Sequence, residues 1–278
     1  MNKPRTPAPV RRALASGLLA GLAALAGCTG PSPGADSSGD SAPRPSSGTA
    51  GTGSASATAT PTVAPPPADG GCYRLTSGEL TRPSSSAAPV PCTAVHTART
   101  VFVGSRGRPE AICPGRLAAF LGGTTTARRL SRFEVVWFSP TAAESQRGAR
   151  WFRCDLVAFA VRDSLLRLPG KHLHGVLDRR RALDTYGLCG TAAPGSARFG
   201  RVICGQRHSW RAVRVVGLRG RTYPGVAAVR TAGQRTCQKT AGARAGKRLR
   251  FRYGWEWPTG DQWAAGQHFG YCWVPSTS

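Results

Sequence analysis

The sequence predicts an α+β fold: two tandem small disulfide-stapled modules that follow a signal peptide and a disordered spacer. Three observations predict it. Eight of the nine cysteines fall into two quartets, at 72, 92, 113 and 154 and at 189, 204, 237 and 272, and the residues around them repeat. A basic and then apolar N-terminus leads into a stretch of small residues and proline. Gly (35) and Pro (22) are abundant in a chain of 278 residues, which implies short elements and much loop. Hydrophobic residues make up 40%, enough for a packed core, and the composition excludes a multi-pass membrane protein, a coiled coil and a collagen.

Lys3, Arg5, Arg11 and Arg12 precede Ala13 to Ala26, an apolar run of 14 residues. A spanning helix needs roughly 20, so residues 1–27 read as a signal peptide. The end of that run, Leu25-Ala26-Gly27-Cys28, resembles the lipobox of bacterial lipoproteins. The resemblance implies a lipid on the Cys28 thiol and residence at the cell membrane, lipid-anchored, on the extracytoplasmic face. From Thr29 to Gly70, 37 of 42 residues are Gly, Pro, Ser, Ala or Thr. Such a stretch buries too little apolar surface to offset its ordering entropy, so residues 28–70 read as a disordered tether. As a flexible coil it spans about 35 Å.

The folded part divides into a first module at 71–162, a connection at 163–185 and a second module at 186–278. Cys92 to His96 and Cys204 to His208 are both Cys-x-x-x-His. Each leads into a β-rich stretch, Thr100 to Val103 and Val213 to Val216. A helix fits Pro114 to Leu121, with proline in its first turn and Gly122 ending it, and Val226 to Lys239 is its counterpart. Trp137-x-x-Pro140 matches Trp255-x-x-Pro258, each followed at equal distances by a glycine (Gly148, Gly266) and a cysteine (Cys154, Cys272). Thr141 to Glu144 and Thr259 to Gln262 are capping boxes, and the two glycines fit helix stops. Closing strands follow at Trp151 to Ala160 and Phe269 to Val274. Trp137 and Trp255, at fixed distance from a cysteine, are expected to pack on a disulfide, and Trp255 and Trp257 share one strand face. Modules of about 85–90 residues benefit from such staples. Four cysteines allow three connectivities, which spacing does not determine. The reading favours 72–92 and 113–154, with 189–204 and 237–272.

These quartets, the lipobox and Trp-x-x-Pro resemble the actinobacterial septum-formation-domain family. The residues that carry the likeness are Gly71-Cys72, Val90-Pro91-Cys92 to His96, Cys113 and Cys154. The family usually has an acid three residues after the histidine, where this chain has Arg99 and Arg211. The resemblance implies a link to division or the envelope, and it carries no catalytic residues to transfer.

Charge supplies the functional candidates. Residues 71–278 hold 33 basic and 10 acidic residues. Arg128, Arg129, Arg132, Arg179, Arg180, Arg181, Lys247, Arg248, Arg250 and Arg252 form dense clusters suited to a polyanion. The expected partners are the cell membrane, through the lipid anchor, and an anionic envelope polymer or a division-site protein. The compartment argues against nucleic acid. The Cys-x-x-x-His pairs and His172-x-His174, with Asp178 nearby, have metal-ligand residue types but lack completing partners. No catalytic, metal or cofactor site is assigned. The expectation is a non-enzymatic envelope- or division-associated binding protein; the rival is a secreted wall-modifying hydrolase using His96 or His208 beside an acid.

Overall fold

The computed structural model describes residues 65–246 and 250–276. The expected signal peptide, Cys28, the expected spacer to residue 64, Lys247 and Arg248 lie outside the described residues. In the first part of the folded chain the elements are β1 (Cys72–Tyr73), β2 (Pro89–Val90), β3 (Ala98–Gly104), α1 (Pro109–Leu121), α2 (Thr125–Arg129), β4 (Phe133–Phe138), α3 (Ala142–Gln146), β5 (Phe152–Val161) and β6 (Ser164–Leu165). There follow α4 (Ala182–Tyr186), β7 (Leu188–Gly190), β8 (Arg201–Ile203), β9 (Trp210–Gly217), α5 (Val226–Ala232), α6 (Gln234–Ala245), β10 (Gly254–Glu256), α7 (Gly260–Ala264) and β11 (Phe269–Pro275). The fold is mixed helix and antiparallel sheet held by four disulfides. Among the described residues no helix is long and apolar enough to cross a membrane.

Strand pairing follows one scheme twice. The first half runs β2-β1-β3-β5-β4 and the second β8-β7-β9-β11-β10. The registers correspond too. Cys72 faces Val90 and Arg99, while Cys189 faces Val202 and Arg211. A bulge skips Val101 in β3 and Val213 in β9, each nine residues after its Cys-x-x-x-His cysteine. Trp137 stands opposite Cys154, and Trp255 opposite Cys272. Val161 pairs with Val202, which joins β5 to β8 and makes one eleven-stranded sheet.

The bonds are Cys72–Cys92, Cys113–Cys154, Cys189–Cys204 and Cys237–Cys272. In each half one bond closes the first hairpin and the other ties a helix to the closing strand. Trp137 packs on Cys113 and Cys154, and Trp255 on Cys237 and Cys272.

The short helices obey local chemistry. Both capping boxes form at α3 and α7, with Thr141 and Thr259 accepting from the N3 amides. At the other end Gly148 (φ 92°) and Gly266 (φ 86°) take the left-handed turn that a side chain disfavours. The amides of Ala149 and Gln267 then reach back to the carbonyls of Glu144 and Gln262, completing a Schellman stop in both halves.

Three expectations need correction. Helix α1 begins at Pro109 rather than Pro114; Pro114 lies inside it. The longer helix places Cys113, Leu117 and Leu121 four residues apart on one buried face, so tertiary burial outweighs the lost proline hydrogen bond. The expected helix from Val226 to Lys239 is two helices that part at Gly233. The Trp255 indole lies so close there that a β-carbon on Gly233 would come within 2.4 Å of it. Its ring N–H also donates to the freed Val229 carbonyl at 2.9 Å. Finally, residues 163–185 do more than connect. Leu168, Leu173, Val176 and Leu177 are buried against Leu117, Leu121 and Leu156 and build one face of the first core.

Candidate polyanion-binding groove

The groove is built by the loop that leaves β7, the start of β9 and the approach to β10. Thr191, Ala192, Ala193, Ser196, Arg198, Ser209, Trp210 and Arg252 line a cavity of about 530 Å³. Gly, Ala, Pro and Ser between 192 and 197 favour a turn-rich loop, and its hydroxyls stitch it closed. The Thr191 hydroxyl donates to the Arg198 carbonyl at 2.8 Å and accepts from the Gly200 amide at 2.9 Å. Ser196 donates to the Ala193 carbonyl at 2.8 Å, and Ser209 to the Thr191 carbonyl at 2.7 Å. Phe199 meets the buried Trp273 edge-on at 5.2 Å, which anchors the loop in the core next to exposed Arg198.

Trp210 is 5% exposed, and the Arg252 guanidinium sits 5.4 Å from its ring centroid. That is cation–π distance, and it restrains an otherwise mobile side chain. Among the described residues, neither Arg198 nor Arg252 has a side-chain hydrogen bond or an ion-pair partner. The nearby acids are engaged elsewhere. Glu256 takes Arg201 at 3.0 Å and the Trp273 indole N–H at 3.0 Å. Asp184 takes Arg181 at 2.7 Å and Arg211 at 2.8 Å. Residues 186–278 hold fifteen basic residues and only two acids, Glu256 and Asp261. At the offsets of Trp210 and Arg252 the first half has Ala98 and Glu134, so it lacks this tryptophan–arginine pair.

The structure separates the charged candidates read from the sequence. Arg252 lines the groove, with exposed Arg250 two residues away. Arg179 and Arg180 are exposed, and Arg181 is paired with Asp184. Arg128 is spent on the end of α1, donating to the carbonyls of Gly122 and Gly123. Arg129 lies over Phe269 at 4.2 Å, a contact between the two halves. Arg132 leaves the candidate set because it is buried, its Nε donating to the Phe159 carbonyl at 3.2 Å. Burial lowers its guanidinium to about 10 and raises the neighbouring Glu134 carboxyl. In the same cluster burial pushes the Tyr271 phenol up to about 12. Arg198 was missed by sequence reasoning: it is a lone cation in a small-residue loop, and no local signal links it to Arg252.

His96, His174 and His208 each make a structural contact. The His96 Nδ1–H donates to the Ala94 carbonyl at 2.8 Å, and the His208 Nδ1–H to the Gln206 carbonyl at 2.7 Å. That tautomer leaves His208 Nε2 to accept from the Ser276 hydroxyl at 3.0 Å. Cys92 and Cys204 are in disulfides, so neither offers a thiolate to a metal. His174 meets Phe120 edge-on, and Asp178 accepts the Gly123 amide at 2.7 Å. Among the described residues no histidine is bonded to a carboxylate, and no three metal-ligating side chains converge.

No curated protein and no solved structure matches this chain. A family model described as septum formation matches residues 106–272, more than half of the chain and across both disulfide-bonded halves. The matched stretch takes in both Trp-x-x-Pro segments, Arg198 and Arg252. The chain therefore belongs to the septum formation family.

Proposed function

We propose that this protein is a non-catalytic, lipid-anchored envelope protein that binds an anionic wall polymer near the division site, with residues 28–70 as its tether. One observation carries the reading. Arg198 and Arg252, with no side-chain hydrogen bond or ion pair among the described residues, line one concave groove, in a half of the folded part with fifteen basic residues and two acids. Unpaired arginines are matched to anions, and a surplus of one sign raises the local concentration of a polymer of the other. Septum-formation family membership supports a division-related envelope role. The shared strand order, register, bulge and caps support two tandem copies of one module, 71–162 and 186–278, with the Arg198–Arg252 groove in the second.

Co-sedimentation of the full chain with purified wall sacculi tests this. Sacculi with and without their anionic polymers are compared at low and high salt. Binding that is lost on stripping and in high salt is the expected result. Binding that survives both assigns recognition to the glycan, and no binding to either removes the wall as partner.

A further inference from the structure

Resting on that reading, we propose that the Arg198–Arg252 groove is a subsite for one phosphodiester group of a polyol or sugar phosphate polymer. The groove offers two kinds of polar group, and their hydrogen-bonding sense differs. Arg198 and Arg252 can only donate. The hydroxyls of Ser196 and Ser209 already give their protons to carbonyls, which can only accept. Their oxygens are left to accept. A ligand that suits this lining has an anion flanked by its own O–H donors.

Alternating phosphate and hydroxyl groups along a polymer have that pattern. A guanidinium fork can grip the two non-bridging oxygens of a phosphodiester as it does the two oxygens of a carboxylate, so the neighbouring hydroxyl pattern is what favours the phosphate polymer. Concavity points the same way. A cavity of about 530 Å³ admits a strand of polymer, while a bilayer surface presents its headgroups to flat or convex faces. Arg252 is also held ready over Trp210, so less side-chain entropy is lost on binding.

The test is titration of the full chain with poly(glycerol phosphate) over a range of salt. Arg198→Ala with Arg252→Ala is compared with a control that removes the same charge from the exposed loop, Arg219→Ala with Arg221→Ala. All four side chains are exposed, so both variants are expected to fold. The groove variant should lose roughly tenfold or more in affinity, and its salt slope should fall by about two. The control should lose less than about threefold. Equal losses in the two variants would reduce the groove to diffuse charge and overturn the inference. So would polyglutamate binding as tightly as poly(glycerol phosphate), or a groove-dependent preference for phosphatidylglycerol over phosphatidylcholine vesicles that exceeds polymer binding. If the unmutated chain binds sacculi and the groove variant binds them equally well, this inference fails and the broader function stands. If the unmutated chain binds neither sacculi nor polymer, the broader function fails as well.

Discussion

Trp255 lies directly across the β10–β11 ladder from Cys272, the same register that Trp137 keeps with Cys154 in β4–β5. In both halves the indole covers the bond that ties a helix to the closing strand. The two tryptophans are not equal, however. Trp255 is buried, stacks on the Gly233 backbone and donates to Val229, whereas Trp137 is only half-buried.

Trp255→Ala should therefore cost about 3–5 kcal/mol, the range for removing a large buried aromatic, and Trp137→Ala distinctly less. Denaturant unfolding of both variants measures the difference. Equal costs would contradict the asymmetry of burial.

Asp155 and Arg153 form a buried pair at 3.0 Å beneath Tyr73 and Phe138, with the Thr100 hydroxyl donating to Asp155 at 2.8 Å. Asp155→Asn strands the Arg153 charge in the core and should cost on the order of 3 kcal/mol or more. Replacing both partners together, Arg153→Met with Asp155→Val, should recover most of that loss. A double-mutant cycle by chemical denaturation reads the coupling directly.

The amide and hydroxyl of Thr141 hold the Glu144 carboxyl below its usual 4.5. A lowered folded value means that the cap's full contribution is present above about pH 4.5 and fades as pH falls through the folded value. Gln262 does the same work in the second half without a charge. Glu144→Gln should thus be nearly silent at pH 7 and should flatten the acid limb of stability. Thr141→Ala, which removes the capping oxygen, should cost about 1 kcal/mol. Thermal melts between pH 3 and 7 test both.

Cys113–Cys154 and Cys237–Cys272 close loops of similar length, 41 and 35 residues apart. Loop-closure entropy grows only with the logarithm of length, so replacing either pair by serine should cost a similar amount, about 2–4 kcal/mol. Unequal costs would locate additional strain or packing at one bond. Peptide mapping without reduction checks the pairing itself.

Much of this architecture was legible in local patterns. Thr141, Glu144 and Gly148, like Thr259, Gln262 and Gly266, act on backbone groups within a few residues, so their spacing carries their structure. The matched distances from Trp137 to Cys154 and from Trp255 to Cys272 likewise survive folding, because each pair spans a single short helix and two adjacent strands. The start of α1 was less legible. Pro109 and Pro114 are both compatible with a first turn, and only burial of Cys113 beside Leu117 decides between them.

The chain's own order of residues was sufficient for the caps, the grouping of the cysteines into two quartets and the surplus of positive charge, all of which depend on local spacing or on composition. Tertiary structure alone decided the fate of each arginine. Arg132 is held in the interior by Phe159, Arg129 lies on Phe269 from the other half, and Arg252 lines one groove with Arg198, more than fifty residues away in sequence. A guanidinium's role depends on which strand or ring folds against it, and that partner is set by long-range pairing of the sheet rather than by the residues beside it in sequence.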